Sequence, residues 1–131
     1  DMATDLIMVG MLDTLSLKNT KLGLETLDLM GVEGDEVRLV LNRANTRVGI
    51  SNSDVEAILG SKPDVLVPSD REIPRTINEG RPIVTVGPES EAAAAFRQLA
   101  GFYLNGSAPL EHEAAAGGRR RGIRVFGRKG A

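Results

Sequence analysis

The segment Leu6–Met11, with the sequence LIMVGM, constrains the fold more than any other part of the chain. None of its residues is polar, so a strand formed here has two apolar faces. A strand with one face in water alternates apolar and polar residues, whereas a strand of a parallel sheet is covered on both faces. The segment therefore predicts an α/β fold, in which helices cover both faces of a mostly parallel sheet.

The stretch from Leu15 to Met30 has helical periodicity. At 100° per residue its charged side chains fall on one stripe about 80° wide, and the rest of the surface is mostly leucine. This pattern predicts a helix buried on most sides, with Gly31 as its left-handed C-terminal cap. The charged residues of the stripe are Lys18, Lys21, Glu25 and Asp28.

A second apolar strand is predicted at residues 37–41, so strand, helix and strand form a right-handed βαβ crossover. Ser53 and Glu56 have capping-box spacing, which predicts a short helix ending at Leu59 and Gly60. A third strand is predicted at residues 65–67.

The segment VPSDRE after the third strand contains a second capping box, Ser69 with Glu72, and predicts a helix start directly after Pro68. Pro74 either lies within the first turn of this helix or limits it to a short or bent one.

Residues 83–86 are predicted to form the last strand, and Pro88 is predicted to open the last helix. One face of that helix is expected to carry four apolar residues at helical spacing: Ala92, Phe96, Leu99 and Tyr103.

Composition divides the chain into a domain at residues 1–105 and a basic flexible tail at residues 106–131. Residues 1–113 carry all 18 acidic and 10 of the 16 basic residues, whereas residues 114–131 carry six basic residues and no acid. The tail has no apolar period, so it is expected to be disordered or to become ordered only on a partner. Because the chain starts at Asp1 and enters a strand abruptly, we expect further sequence upstream.

Three polar segments are expected at the carboxyl edge of the sheet, where open parallel sheets bind ligands. They are Asp13 with Thr14, Asn42 with Arg43, and residues 68–70. The carboxamide of Asn42 offers a donor and an acceptor that match N6 and N7 of adenine, and the Arg43 guanidinium can lie on the base. Taken alone, however, an asparagine at a strand end more often closes a turn.

Two interpretations, a local structural role and a ligand contact, also apply to the segment after the third strand, Pro68, Ser69 and Asp70. Ser69 and Asp70 are typical helix N-caps, and Pro68 can also form the edge of a pocket against a flat ligand. The two roles are compatible.

Several kinds of site are excluded or disfavoured. There is no cysteine and only one histidine, so a thiol nucleophile or a zinc cluster cannot form, and a reducing cytoplasm fits this composition. No G-x-x-x-x-G-K-[ST] motif occurs, and no two residues form a credible nucleophile and base. The sequence DLMG at residues 28–31 is interpreted as a helix end. The sequence thus predicts no catalytic residue and no metal ligand in this chain.

The basic tail GRRRGIRVFGRKG has two interpretations. It is either a solvated tail or a segment that binds anionic lipid or, less favourably, nucleic acid.

Three motifs in order, LDTLSLKNTKLGLETLDLMG, RLVLNRANTRVGIS and VPSDREIPRTINEGRPIV, resemble the C-terminal half of the CpaE/TadZ branch of the MinD/ParA ATPases, which act in pilus assembly and polar localisation. The resemblance covers about residues 3–104. It implies a partial P-loop NTPase fold and an ATP site in which Asn42 contacts adenine, with Arg43 beside it and residues 68–70 bordering the base.

The resemblance also implies that the deviant P-loop, the switch segments and the catalytic carboxylates lie upstream. In the parent protein it implies ATP with Mg²⁺, a homodimer, pilus-assembly or polar-localisation partners, and a cytoplasmic location, with anionic membrane contact through the tail. The alternative is a non-enzymatic interaction module that docks through an exposed sheet edge and the basic tail.

Overall fold

The computed structural model describes residues 3, 5–44 and 49–104. The expectations for the tail therefore lie outside the described residues. The elements, in chain order, are β1 (Leu6–Met11), α1 (Thr14–Leu29), a 3₁₀ turn (Gly34–Glu36), β2 (Val37–Asn42), α2 (Asn52–Leu59), β3 (Val65–Val67), α3 (Glu72–Asn78), α4 (Ile83–Val86) and α5 (Glu91–Leu104).

The three strands form one sheet in the order β1, β2, β3, and both pairings are parallel. Val9 lies beside Val40, and Val40 lies beside Val65, so these three side chains share one face. The predicted parallel α/β fold is confirmed.

Helices pack on both faces of this sheet. On one face, α1 and α2 cover a core formed by Leu12, Leu17, Leu24, Val37, Leu39, Leu41, Val55 and Leu59. On the other face, α5 covers Val40, Val65 and Val67 through Ala95, Leu99 and Phe102. Because β2 lies between both layers, its alternate residues enter two different cores.

The expectation that β1 is covered on both faces is wrong. Met8 and Gly10 face α1, but Ile7, Val9 and Met11 on the opposite face are 44%, 60% and 40% exposed. That face belongs to the α5 layer, and α5 packs on the other two strands. Within the described ranges no helix covers this side of β1.

Both ends of α1 are capped by local hydrogen bonds. The Asp13 carboxylate accepts a hydrogen bond from the Ser16 amide at 2.8 Å. At the other end Gly31 has a φ of 84°, and the Val32 amide donates to the Leu27 carbonyl at 3.0 Å, as in a Schellman motif. The predicted glycine cap is confirmed.

The expectation that α1 is buried on most sides is wrong. Its buried residues are Leu17, Thr20 and Leu24, which face the sheet and α2. Three other leucines of the helix are largely exposed, since nothing among the described residues packs outside it: Leu15 (70%), Leu22 (63%) and Leu29 (80%).

The predicted caps of α2 and α3 are displaced. The capping box of α2 is Ser51 with Asp54, two residues before the predicted pair, although the helix ends at Leu59 and a left-handed Gly60 as expected. At α3 the helix begins at Glu72, whose amide donates to the Asp70 carboxylate at 2.9 Å. Ser69 is therefore not the cap, because the aspartate one residue later accepts the first amide.

Pro74 is the third residue of α3, so it lies within the first turn, and the helix has only seven residues. Both expectations for this proline are met. Its missing amide removes no helical hydrogen bond at that position.

Residues 83–86 form the short helix α4, so the strand prediction is wrong. The Pro82 carbonyl accepts hydrogen bonds from the Thr85 and Val86 amides at 2.9 and 3.1 Å, which closes a helical turn. Ile83 is buried, and α4 packs between α3 and α5. Packing of this turn overrides the β preference of its valines.

The last helix, α5, begins at Glu91 and not at Pro88. The Ser90 hydroxyl accepts from the Ala93 amide at 3.1 Å, which is the role of an N-cap. The predicted apolar face is also rotated, because Phe96 and Tyr103 are 37% and 38% exposed. The residues of α5 that pack against the sheet are Ala95, Leu99 and Phe102, and Ala92 is buried as well.

Candidate functional site

The carboxyl ends of β2 and β3 are joined side by side. Asn42, the last residue of β2, pairs with Val67, the last residue of β3. The Ala44 amide then donates to the Val67 carbonyl at 3.0 Å, so the chain leaving β2 stays close to the chain leaving β3. The two loops therefore leave the sheet at the same place, as expected for a ligand site of an open parallel sheet.

A cleft of about 270 Å³ lies between these two loops. The lining residues are Asn42, Arg43, Pro68, Ser69, Asp70, Ile73 and Pro74. The structure thus brings together the five residues that the sequence singled out. Asp13 and Thr14 do not line the cleft, since Asp13 caps α1 and Thr14 is the first residue of that helix.

The Asn42 side chain is held by its own loop. Its Oδ1 accepts a hydrogen bond from the Arg43 amide at 2.9 Å, which is a turn contact of the kind that asparagine makes at strand ends. The bond orients the carboxamide and uses one lone pair of Oδ1. The second lone pair and the Nδ2 donor remain for a further group.

Arg43 has a φ of 54°, and no other non-glycine residue in the described part of the chain has a positive φ. An arginine in the left-handed region costs of order 1 kcal/mol or more, so the surrounding loop contacts hold it there. This backbone turn redirects the chain immediately after β2. It lets the Asn42 and Arg43 side chains both line the cleft.

The opposite wall comes from the loop after β3 and the first turn of α3. Asp70 accepts the Glu72 amide and so fixes the start of the helix. Ile73 and Pro74 follow three and four residues after Asp70, and with Pro68 they provide an apolar wall. Neither Ile73 nor Pro74 was predicted from the sequence to lie at this site. Their spacing from Asp70 could have indicated them, because residues three and four positions after a capping residue lie on the same side of the helix as that residue.

The cleft suits part of a ligand and not a large one. Pockets for drug-sized ligands occupy roughly 300–1,000 Å³, so a cleft of 270 Å³ is slightly smaller than these. Its walls combine proline and isoleucine surface with one oriented carboxamide. This arrangement fits a flat heteroaromatic group that needs one donor and one acceptor.

The described residues contain no group of three or more His, Asp or Glu side chains arranged to hold a metal ion. No helix in the described ranges is long and apolar enough to span a bilayer.

Similarity to known proteins is found at the level of structure. No family model matches the chain, and no curated protein matches its sequence. Among solved structures, the MinC:MinD cell division protein complex of Aquifex aeolicus matches with a TM-score of 0.69 and 21% identity over 83% of this chain and 46% of that chain. The chain has a MinD/ParA-like fold.

Two further structures support this similarity. The septum site-determining protein MinD complexed with Mg-ADP, from Pyrococcus horikoshii OT3, matches with a TM-score of 0.66 and 24% identity over 77% of this chain and 41% of that one. A ParA family ATPase from Chlorobium tepidum TLS matches with a TM-score of 0.61 and 21% identity over 74% and 41%. The MinD/ParA-like chain therefore spans less than half the length of these three structures.

Proposed function

We propose that this chain supplies the adenine side of the nucleotide site of a MinD/ParA-like ATPase of the CpaE/TadZ branch, which positions pilus-assembly machinery of the Flp/Tad type or division machinery. The observation that carries the proposal is the pairing of Asn42 with Val67, which brings Asn42 and Arg43 against Pro68 and Asp70 within a MinD/ParA-like fold. One structure of similar fold is a MinD complexed with Mg-ADP.

Asn42 reads the base in this proposal. Its Nδ2 donates to N7 of adenine, and the second lone pair of Oδ1 accepts from the N6 amino group. Guanine presents an acceptor, O6, where adenine has the N6 donor, so the same carboxamide orientation disfavours guanine. The Arg43 amide prevents the carboxamide from simply flipping, because it requires an oxygen and not an NH₂ group at that position.

Pro68, Ile73 and Pro74 contact the flat face of the base, and the Arg43 guanidinium covers part of the other side. Ser69 and Asp70 lie at the rim, where they border the base or the sugar.

The phosphate side of the site comes from elsewhere in the parent protein. The sequence has no glycine-rich P-loop with its lysine, and the described residues hold no carboxylate cluster for Mg²⁺. Triphosphate binding depends on that loop, its lysine and the metal ion. We therefore assign the P-loop, the Mg²⁺ ligands, hydrolysis and the ATP-dependent homodimer to sequence upstream. A reading of the upstream coding sequence that contains no such loop would contradict this assignment.

Binding to the chain itself tests the base site directly. Because this chain has no phosphate-binding loop, adenosine and ATP are expected to bind it weakly and with similar affinity. Guanosine is expected to bind more weakly than adenosine. Amide chemical shifts followed by NMR during titration should change for Asn42, Arg43 and Ile73.

Asn42→Ala should weaken adenosine binding by about 1–3 kcal/mol and remove the preference over guanosine. Asn78→Ala is the matched control, because Asn78 ends α3 outside the cleft and is exposed. Equal adenosine affinities for the two variants would show that Asn42 is only a turn residue.

A second candidate is a non-enzymatic interaction module that docks on a partner or on anionic membrane at the inner face of the cell membrane. The exposed face of β1, which is also an edge strand of the sheet, favours it. In this case the chain sediments with vesicles containing phosphatidylserine in the absence of ATP, and added salt reduces the binding. Deletion of residues 114–131 should abolish the sedimentation, and unchanged binding would contradict the candidate.

A further inference from the structure

The peptide unit between Asn42 and Arg43 is anchored on both sides. Asn42 is paired with Val67 at the end of the sheet, and the Ala44 amide donates to the Val67 carbonyl at 3.0 Å. The backbone before and after this peptide unit is therefore held by the same residue of β3. Because the unit is planar, it can flip between these anchors only if ψ of Asn42 and φ of Arg43 rotate in opposite directions.

The sign of φ at Arg43 shows which way this peptide unit faces. In the structure φ is 54°, and the Arg43 N–H donates to Oδ1 of Asn42 at 2.9 Å. A flip would take φ of residue 43 to a negative, extended value and would put the Asn42 carbonyl where the N–H now lies. The left-handed backbone at Arg43 and the hydrogen bond to the Asn42 carboxamide therefore depend on each other.

The direction of the peptide unit also determines which atoms of the Asn42 carboxamide face a ligand. The Arg43 N–H requires Oδ1 beside it, whereas a carbonyl at that position would repel Oδ1 and attract Nδ2. The last torsion of asparagine is broad and roughly two-fold, so the carboxamide adopts either orientation readily. After a peptide flip its donor and its acceptor are therefore expected to exchange places.

We propose that Arg43 positions the Asn42 carboxamide through its left-handed backbone, and that this backbone conformation determines the preference for adenine over guanine. This role rests on the proposed adenine site. In the present orientation N6 and N7 of adenine each find a partner, and guanine finds one, at N7. After a flip adenine finds none, and guanine again finds one, at O6. A flip therefore removes adenosine affinity and leaves guanosine affinity almost unchanged.

The Arg43 side chain has a different role from its backbone. Arg43 lines the cleft, and its guanidinium can lie on the face of any base, so it adds affinity without distinguishing adenine from guanine. Glycine adopts a positive φ without strain, a β-branched residue rarely does so, and proline is fixed at a negative φ. Substitutions of Arg43 can therefore remove the guanidinium and either keep or lose the left-handed backbone.

Nucleoside titrations of the full chain followed by NMR test this role. The wild-type chain is expected to prefer adenosine over guanosine at least about fivefold, the lower end of what a bidentate base contact gives. Arg43→Gly should weaken the binding of both nucleosides and keep that ratio. Arg43→Pro is its matched partner, because it also lacks the guanidinium but has no N–H and a negative φ. Its ratio should fall to about one, through loss of adenosine affinity.

Arg43→Val is a second variant, because it keeps the N–H and disfavours a positive φ. Its backbone can be followed without ligand, since a positive φ brings the amide and Hα protons of one residue close together and gives a strong NOE between them. This NOE should be strong at residue 43 of the wild-type chain and weak in Arg43→Val, whose adenosine preference should fall as well.

The outcomes separate this role from the proposed adenine site. A wild-type ratio retained in Arg43→Pro, or in Arg43→Val with a weak NOE, would overturn the role of Arg43 and leave the adenine site in place. Loss of the ratio in Arg43→Gly, or a weak NOE at residue 43 of the wild-type chain, would do the same. A wild-type chain with the strong NOE but no adenosine preference would contradict the adenine site itself.

Discussion

β1 and β2 lie side by side and have six residues each, of which all six are apolar in β1 and four are apolar in β2, yet the more apolar strand is the less buried one. Val9 and Val40 are neighbours across the pairing and share one face, but Val9 is 60% exposed and Val40 is 3% exposed. The difference arises from α5, which reaches β2 and β3 and leaves the same face of β1 open. An apolar strand sequence therefore indicates a capacity for burial, and the neighbouring layer decides whether burial occurs.

The largest effect is expected at the covered member of this pair. Val40→Ala removes two methyl groups from the α5 core and leaves a cavity, so we expect a loss of about 2.5 kcal/mol in the free energy of unfolding. Val9→Ala should change it by less than about 0.5 kcal/mol, because its side chain is mostly in water already. Urea denaturation followed by far-UV circular dichroism gives both values. Equal losses would mean that the open face of β1 is covered in solution.

The packed face of β1 is tested by Gly10→Ala. A Cβ built on Gly10 lies 2.5 Å from Oγ1 of Thr20 and 3.2 Å from the Leu41 side chain, so α1 can approach the sheet only because this residue is glycine. We expect a loss of about 1.5 kcal/mol from overpacking. Gly34→Ala is the control, since no atom lies within 4 Å of a Cβ there. Urea denaturation compares the free energies of unfolding of the two variants. An unchanged free energy of unfolding for Gly10→Ala would contradict the close packing of α1 on β1.

A smaller loss of stability is expected at the amino end of β2. Polar contacts there join β2 to the segment before β3 and to α5. Asp64 accepts the Leu39 amide at 2.8 Å and lies 3.6 Å from Arg38, whose guanidinium carbon is 4.3 Å from the centre of the Phe102 ring. Asp64→Ala should cost about 1 kcal/mol, and Asp64→Asn should cost less because it keeps an acceptor for the Leu39 amide. Equal free energies of unfolding for wild type and Asp64→Ala would show that the contacts of Asp64 do not stabilise the amino end of β2 and that packing of α5 is sufficient.

The smallest effect concerns pH and the cap of α2 on the covered side of the sheet. The Ser51 hydroxyl, followed by the Ser51 amide, lowers the pKa of the exposed Asp54 carboxyl below its ordinary value of 3.8. Because the folded pKa is the lower one, the stabilisation is complete above the unfolded pKa and is lost as pH falls through the folded pKa. Asp54→Asn should therefore flatten the dependence of stability on pH below about pH 4. Ser51→Ala should flatten it as well, and an unchanged profile for both variants would contradict this assignment.

Prediction from the sequence succeeded where the decisive contacts are local. The strand at Leu6–Met11, the left-handed cap at Gly31 and the end of α2 at Gly60 all follow from a few consecutive residues. It failed where two local patterns compete. Ser69 and Asp70 both offered an acceptor, and the structure uses Asp70, which starts α3 at Glu72.

Some residues of the candidate site could likewise be predicted from local sequence, and others could not. The positions of Asn42 and Arg43 follow from the end of an apolar strand, and the structure places them in one cleft with residues 68–70. Ile73 and Pro74 were missed because the start of α3 had to be known before their direction was clear. The role of this cleft in binding adenine stays a prediction.

The amino-acid sequence by itself determined the parallel α/β architecture, since apolar strands, helical periodicity and caps need only neighbours along the chain. Tertiary structure alone decided that Ile83–Val86 closes as a helix, that one face of β1 stays open and that three leucines of α1 point to solvent. Hydrophobic burial depends on the area that another element removes from water. That element is distant in sequence, so no local pattern specifies it.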